Sequence, residues 1–436
     1  MAISNKTNIY DELVWRELLY DSTPGVFKRL AGNPVTCYNG FDPTSPSLHV
    51  GNLIPITGLM RFQKYGHTPI AIIGGGTGMI GDPSGKSEER QLLDTNQVEE
   101  NVEAIKLQLE KFLDINSKNN PAKLINNTDW LRQEKLIDFL RNVGKHFNVN
   151  NMLSKESVKG RLDRESGISF TEFSYQALQA YDFLMLHEKY GCELQTGGSD
   201  QWGNIIAGVN LIRKIHNNKN NSKGVVHGLV YPLITNSLGE KIGKSIGGNI
   251  TINPKETSPY KFYQFFLNTA DSDVIYYLKL FTDMSKKTID TLEMITNSEP
   301  KKRSAQIALS ENITTLVHGD SGLQTAMRVT KAFFSGDFNS LNPEETLDVL
   351  KGAPITQISK PLVEGEGIPF IELAFAAKMG SSKSDVRRTV TQGGFYLNSL
   401  NVEDQNMKVQ LSDFNKGTLL VIRRGKKNHS IVKIIE

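Results

Sequence analysis

Apolar positions follow two alternating rhythms over roughly the first 250 residues. PVTCYNGF (34–41) and HTPIAIIGG (67–75) are short, nearly continuous apolar runs bounded by turn residues, which predicts buried strands. NQVEENVEAIKLQLEKFL (96–113) and EKLIDFLRNVGKHF (134–147) repeat apolar residues every three or four positions, which predicts amphipathic helices. FTEFSYQALQAYDFLMLHEKY (170–190) predicts a further helix, GCELQTG (191–197) a strand, and VVHGLVYPLIT (225–235) a strand-like run. Strands alternating with helices imply an α/β fold around a parallel sheet. HNNKNNSK (216–223) has no core-forming residue and reads as a surface loop.

The rhythm then changes. From Ser258 to about Phe334 only helical spacing remains, as in PYKFYQFFLNTADSDVIYYLKLF. Scattered Pro and Gly over 336–369 predict a linker region. The chain closes with an apolar helix (PFIELAFAAKM), a polar helix (SKSDVRRTVTQ), a Gly-Gly turn and strands ending in TLLVIRRGKK. A length of 436 residues suits two or three domains. The expected organisation is an α/β domain over 1–257 with a Rossmann-like parallel sheet and an all-α domain over 258–335. A linker over 336–367 and a small α+β domain over 368–436 follow. No internal repeat is found.

Composition narrows the class. Hydrophobic residues make up 38% and charged residues 22%, ordinary for a globular protein. No apolar run approaches the roughly 20 residues of a membrane helix. MAISNKTNIYDELVW lacks an apolar h-region and carries Asp11 and Glu12, unlike a signal or transit peptide. Two cysteines, Cys37 and Cys192, support neither a disulfide framework nor a Cys-rich zinc site. A cytoplasmic location is expected. Net charge is +3, but residues 368–436 hold 11 Lys+Arg against 6 Asp+Glu, which is +5 and leaves −2 for the rest. A basic module on a near-neutral body suits nucleic acid; a solvated basic face is the alternative.

Four glycine-containing stretches compete as nucleotide sites. GTGMIG (76–81) has the dinucleotide spacing, but DPSG follows it and cannot open the required helix. GDPSGKS (81–87) and GEKIGKS (239–245) are each one residue short of the P-loop spacing. Either alone reads as a polar surface loop. FDPTSPSLHVGNLIP (41–55) ends a strand in a turn and opens a helix with His-x-Gly-Asn. That is a place for an anion, or simply a helix cap.

HVGN after the first strand and KIGKS on a late loop, about 190 residues apart, resemble the HIGH and KMSKS signatures of class I aminoacyl-tRNA synthetases. Longer blocks narrow the resemblance: VTCYNGFDPTSPSLHVGN, IGGGTGMIGDPSGKSEER, ISFTEFSYQALQAYDFL and LQTGGSDQWGNI. Together they are similar to bacterial-type tyrosyl-tRNA synthetases, and SSKSDVRRTVTQGGFYLN is similar to an alpha-L RNA-binding module. The resemblance covers essentially the whole chain. It implies a Rossmann-like catalytic domain followed by an all-α tRNA-binding domain and a small α+β RNA-binding domain. It also implies a homodimer, with EKLIDFLRNVGKHFNVNNML (134–153) as its contact. The implied substrates are L-tyrosine, ATP with Mg²⁺, and tRNA(Tyr), with no tightly bound cofactor and no dedicated metal cage.

The resemblance further implies site roles. His49 and Asn52, with Gly51 between them and Thr44 nearby, would face the ATP phosphates and ribose. Lys241 and Lys244 would close over the departing pyrophosphate, assisted by Lys86 and Arg90. Gly198 and Asp200 would hold the adenylate ribose, with Gln201 and Asp42 beside them. Tyr38 and Asp182 would contact the substrate phenol; Tyr175, Gln179 and Asp82 would contact its α-amino group. Arg387, Arg388, Arg423, Arg424, Lys426 and Lys427 would meet tRNA. Two departures stand out: Asn52 occupies the position of the second His of HIGH, and Ile242-Gly243 replace Met-Ser in KMSKS.

Spacing supports part of this independently. Tyr175, Gln179 and Asp182 stand at i, i+4 and i+7, on one helix face amid apolar neighbours. A solvated face is the alternative to a lined pocket. Three other functions share some features. A tryptophanyl enzyme would not need the Tyr38 and Asp182 pair. An adenylyl-forming nucleotidyltransferase such as a pantothenate synthetase would not need the basic tail. A non-catalytic RNA-binding protein would not need His49, Lys241, Lys244 and Asp182 together.

Overall fold

The computed structural model describes residues 8–84, 92–162, 167–216, 225–237, 239, 242–245, 248–425 and 428–435. Six strands build the N-terminal sheet: β1 (Asp21–Ser22), β2 (Thr36–Phe41), β3 (Thr68–Ile73), β4 (Lys123–Asn126), β5 (Cys192–Gly198) and β6 (His227–Tyr231). Their order is β1-β6-β5-β2-β3-β4. β2 to β6 run parallel and only β1 is antiparallel, to β6. The apolar runs read from the sequence become β2, β3, β5 and β6, whose residues are largely buried, as strands covered on both faces must be.

Chain direction across the sheet reverses between β2 and β5. β2, β3 and β4 proceed to one side, β5 and β6 to the other. In open parallel sheets ligands bind at such a switch point, outside the carboxyl ends of the strands. The helix Phe170–Tyr190 leads into β5. The Ser169 hydroxyl caps it by accepting from Glu172 N at 3.3 Å, and Gly191 closes it at φ 62°. Tyr38, Ile70, Phe183, Leu186, Val209 and Ile212 share one core under these elements.

The helix Leu53–Lys64 follows β2 and carries the HVGN turn at its start. Its far end is fixed by Arg61, whose Nη2 donates to Leu280 O and Thr282 O, both at 2.9 Å. Buried Arg16 donates to Lys279 O, Thr282 O and Met284 O. Burial, with Arg16 adjacent, lowers the Arg61 guanidinium pKa to about 10. The helix that presents HVGN is therefore anchored to the chain near 280.

Two compact units divide the chain: Met1–Thr257 with Phe266–Val317, and Ser258–Phe265 with His318–Glu436. Helices dominate 259–335, as the spacing predicts. The second unit holds a five-stranded sheet in the order Leu400–Asn401, Phe395–Leu397, Leu419–Arg424, Asn428–Ile435, Ile355–Ser359. All its pairs are antiparallel except the last, where Ile355–Ser359 runs parallel to Asn428–Ile435. Within 336–367, read as a linker, the chain thus forms the helix Pro343–Val349 and a sheet strand. Phe370, Leu373, Val386, Phe395, Leu420 and Val432 lie in the core on this sheet. Among the described residues no helix is long and apolar enough to cross a membrane.

Candidate active site

At the carboxyl ends of β2, β3, β5 and β6 the first unit opens a pocket of about 490 Å³. The sequence-read residues Tyr38, Asp42, Thr44, His49, Gly51 and Asn52 line it, together with Asp82, Tyr175, Gln179, Asp182, Gly198, Asp200 and Gln201. The i, i+4, i+7 face of the Phe170–Tyr190 helix therefore points into a cavity rather than into solvent. Lys86, Arg90, Lys241, Lys426 and Lys427 lie outside the described residues, and of Lys244 only the backbone is described.

At one end of the pocket Asp182 is buried, 3% exposed. Its Oδ1 accepts from Trp130 Nε1 at 2.7 Å and its Oδ2 from Asn127 Nδ2 at 2.9 Å. Burial raises its pKa to about 7, against the lowering effect of those two donors. The Tyr38 hydroxyl is also buried and has no hydrogen-bond partner among the described residues. Burial, then the nearby Asp182 charge, pushes its pKa well up, so it stays a phenol and a donor. A buried acceptor with spare lone pairs and a buried unsatisfied donor thus line one pocket. Trp130 and Asn127 were not read from the sequence; nothing in INNTDWLRQ announces that it reaches a residue more than fifty positions on.

Beyond that end the polar groups are tightly networked. Tyr175 OH donates to Asp42 Oδ2 at 2.7 Å, and Thr77 Oγ1 donates to Asp42 Oδ1 at 2.8 Å. Burial, then Asp42, raises the Tyr175 pKa well above its usual value, so its oxygen keeps lone pairs free to accept. Gln201 Nε2 donates to Asp82 Oδ2 at 2.6 Å, and Ser84 N donates to Asp82 Oδ1 at 2.9 Å. Asp82, Tyr175 and Gln179 therefore offer oxygen acceptors to one cavity.

Described residues of both signature stretches, among them His49, Asn52, Ile242 and Gly243, line the pocket. His49 precedes the helical turn Val50–Asn52, and Asn52 Oδ1 accepts from His49 N at 3.0 Å. A Cβ on Gly51 would stand 2.8 Å from His49 Cε1, so glycine is what lets the ring lie over the turn. The late loop reaches the same turn. Ile242 N donates to Ile234 O at 3.0 Å, Ile250 N to Gly243 O at 2.8 Å, and Val50 N to Ile250 O at 3.0 Å. Gly243 stands at φ +88°, a conformation that favours glycine; a Cβ there would meet that of Val50 at 3.6 Å, an ordinary contact. Lys244–Ser245 pairs with Gly248–Asn249 as a short antiparallel ribbon. HVGN and KIGKS, separated by about 190 residues in sequence, are neighbours in space.

In the second unit the candidate arginines differ in surroundings. Arg387 and Arg388 are exposed on the Lys383–Thr391 helix. Arg423 lies 3.9 Å over the Tyr396 ring. Arg424 is drawn inward: it bonds Asp385, Thr389 Oγ1 and Met379 O at 2.9–3.2 Å. That pairing holds the Asp385 carboxyl well below the usual carboxylate range.

A family model described as tRNA synthetases class I (W and Y) matches residues 30–335. Fold, switch-point pocket and paired signatures define a class I aminoacyl-tRNA synthetase. A second model, the tyrosine–tRNA ligase SYY-like C-terminal domain, matches residues 346–432. The tyrosine–tRNA ligase of Roseiflexus castenholzii is 47% identical over 98% of this chain and 100% of its own. That of Geobacillus kaustophilus is 47% identical over 97% of this chain and 98% of its own. A C-terminally truncated mitochondrial tyrosyl-tRNA synthetase of Aspergillus nidulans superposes with a TM-score of 0.69 at 29% identity, covering 76% of this chain and 95% of that one. The chain belongs to the tyrosine–tRNA ligase family.

Proposed function

We propose that this pocket activates L-tyrosine with ATP and then transfers it to tRNA(Tyr). The tyrosine carboxylate attacks the α-phosphorus, the bond to the β-phosphate breaks, and pyrophosphate leaves. The 3′-terminal ribose hydroxyl of the tRNA next attacks the tyrosyl carbonyl, and AMP leaves. The substrate supplies the nucleophile, so the protein's part is positioning and charge stabilisation. The observation that carries this reading is the buried end of the pocket, where Asp182 and the Tyr38 hydroxyl lie. A phenol there would accept from Tyr38 and donate to Asp182, satisfying both buried groups at once.

The remaining roles follow the pocket outward. Asp82, Tyr175 and Gln179 accept from the α-ammonium group. Gly198 and Asp200 hold the adenylate ribose, with Gln201 and Asp42 beside them. His49, Asn52 and Thr44 face the phosphates, where a neutral Asn52 still donates a hydrogen bond. Mg²⁺ carried by the ATP phosphates would offset their charge as pyrophosphate departs. Lys241 and Lys244, with Lys86 and Arg90, meet the departing pyrophosphate. Contacts made as it leaves lower the barrier without tightening ground-state binding.

Lys244→Ala tests this assignment. Adenylate formation is expected to slow by about 10²-fold or more, the scale for losing one charge-stabilising donor. Tyrosine affinity is expected to stay unchanged in equilibrium binding. Normal turnover with a large loss of tyrosine affinity would contradict the role.

A homodimer and a cytoplasmic location belong to the same reading. Leu136 and Ile137 are 70% and 72% exposed, with Leu140 and Val149 exposed nearby, an apolar surface suited to a second copy. Sedimentation is expected to give about twice the 48.6 kDa chain mass, reduced to one chain by Leu136→Asp with Ile137→Asp. A monomeric unaltered chain would contradict it. Cys37 and Cys192 are buried free thiols, which suits a reducing compartment. Recovery of the protein in a secreted or membrane fraction of its cells would contradict the location.

A further inference from the structure

Behind the pocket wall lies Asn204, the third residue of the Trp202–His216 helix, 6% exposed and not itself lining the cavity. Its Nδ2 stands 2.9 Å from Gln179 Oε1, 3.3 Å from Gln201 Oε1, 3.4 Å from Ser84 Oγ and 3.5 Å from Asp82 Oδ1. The helix start is tied in place as well, since Gln176 Nε2 donates to Gly203 O at 3.1 Å.

A glutamine amide has a donor end and an acceptor end of nearly equal size, and its hydrogen-bond partners alone decide which faces which way. We infer that Asn204 is a positioning residue for substrate amino-group recognition: its donor NH₂ fixes the orientation of Gln179 and Gln201 together. With the Gln201 oxygen held by Asn204, its Nε2 is the end that meets Asp82 Oδ2 at 2.6 Å. With the Gln179 oxygen turned toward Asn204, that oxygen's second lone pair is left for the cavity that Gln179 and Asp82 both line. Without the donor, either amide could reverse. Gln201 would then set oxygen against the Asp82 carboxylate, and Gln179 would set NH₂ against the substrate ammonium. Both are repulsive pairs.

The inference rests on the reading of Asp82, Tyr175 and Gln179 as the amino-group site, and the experiment separates the two. Two ligands are compared by equilibrium binding: L-tyrosine, and 3-(4-hydroxyphenyl)propionate, which lacks only the amino group. Asp82→Asn, the control for the site itself, is expected to weaken tyrosine and spare the des-amino compound. Asn204→Leu, close to Asn in size, and Asn204→Ala, which leaves space, are expected to weaken tyrosine by about tenfold, the scale of a lost buried hydrogen bond. Both are expected to bind the des-amino compound within about twofold of the unaltered enzyme. If Asp82→Asn weakens both ligands alike, the amino-group site is misassigned. If Asp82→Asn behaves as expected but the Asn204 variants bind tyrosine normally, or lose both ligands equally, Asn204 serves only the scaffold and the inference is overturned.

Discussion

Asp182→Ala is expected to weaken the preference for tyrosine over phenylalanine, with a loss of up to about 10²-fold in the ratio of kcat/KM for activation. Asp182 is the buried acceptor at one end of the pocket, held by Trp130 and Asn127. A hydrogen bond to a charged group is worth about 1.5–3 kcal/mol, and the upper figure corresponds to about 10²-fold. Phenylalanine in the unaltered pocket would leave both the Tyr38 hydroxyl and the Asp182 carboxyl without a partner, and tyrosyl enzymes are the standard example of rejection by this means. Alanine removes one of those two penalties. It also withdraws an interaction from tyrosine and leaves the Trp130 and Asn127 donors facing a void, so tyrosine activation is expected to fall steeply. Pyrophosphate exchange with each amino acid reads both effects. A variant that activates tyrosine normally and still rejects phenylalanine would contradict the assignment of this end of the pocket.

Removing the chain after Ser335 is expected to separate the two half-reactions. Every proposed tyrosine and ATP contact lies at or before Lys244, and the pocket belongs wholly to the first unit. The cut falls at 335 rather than 367 because Ile355–Ser359 pairs with Asn428–Ile435 and cannot be left behind. Val329 and Ala332 lose their packing against Phe338, Leu350 and Leu419, so the shortened protein is expected to be less stable. The removed piece includes the +5 segment 368–436 and exposed Arg387 and Arg388. Cations so placed supply phosphate-backbone contacts, which carry affinity and make it salt-dependent. Arg388 and Arg424 both pair with Asp385, which offsets one of their two charges. Pyrophosphate exchange is expected to persist in the shortened protein, and tRNA charging to drop below about a hundredth, the scale of losing several phosphate contacts. Normal charging would make the basic segment a solvated face. Loss of both activities would make it part of the catalytic fold.

Much of the first unit was legible because its elements are decided locally. Apolar runs such as HTPIAIIGG allow little but a buried strand, and the helix 170–190 carries its own cap and stop in Ser169 and Gly191. The face of Tyr175, Gln179 and Asp182 was legible from spacing alone, though only the structure turns it toward a cavity. β1 and β4 were not: two and four residues long and partly polar, they are strands only because neighbours pair with them. Residues 336–367 read as a linker because of their scattered prolines and glycines, among them Pro343. That proline stands at the first turn of a helix capped by Asn342 and Glu345, where proline is favoured. Asn127, Trp130 and Asn204 were invisible because their importance lies in which distant side chain they reach.

ATP–pyrophosphate exchange, run on the purified chain with each of the common amino acids in turn, tests the central claim most directly. It reads adenylate formation alone, without tRNA, and so reports on the pocket between HVGN and KIGKS. Tyrosine alone is expected to drive exchange, with phenylalanine and tryptophan near background. Exchange driven equally by phenylalanine or tryptophan, or absent with tyrosine, would contradict the account of Tyr38 and Asp182 as the pair that reads a phenol.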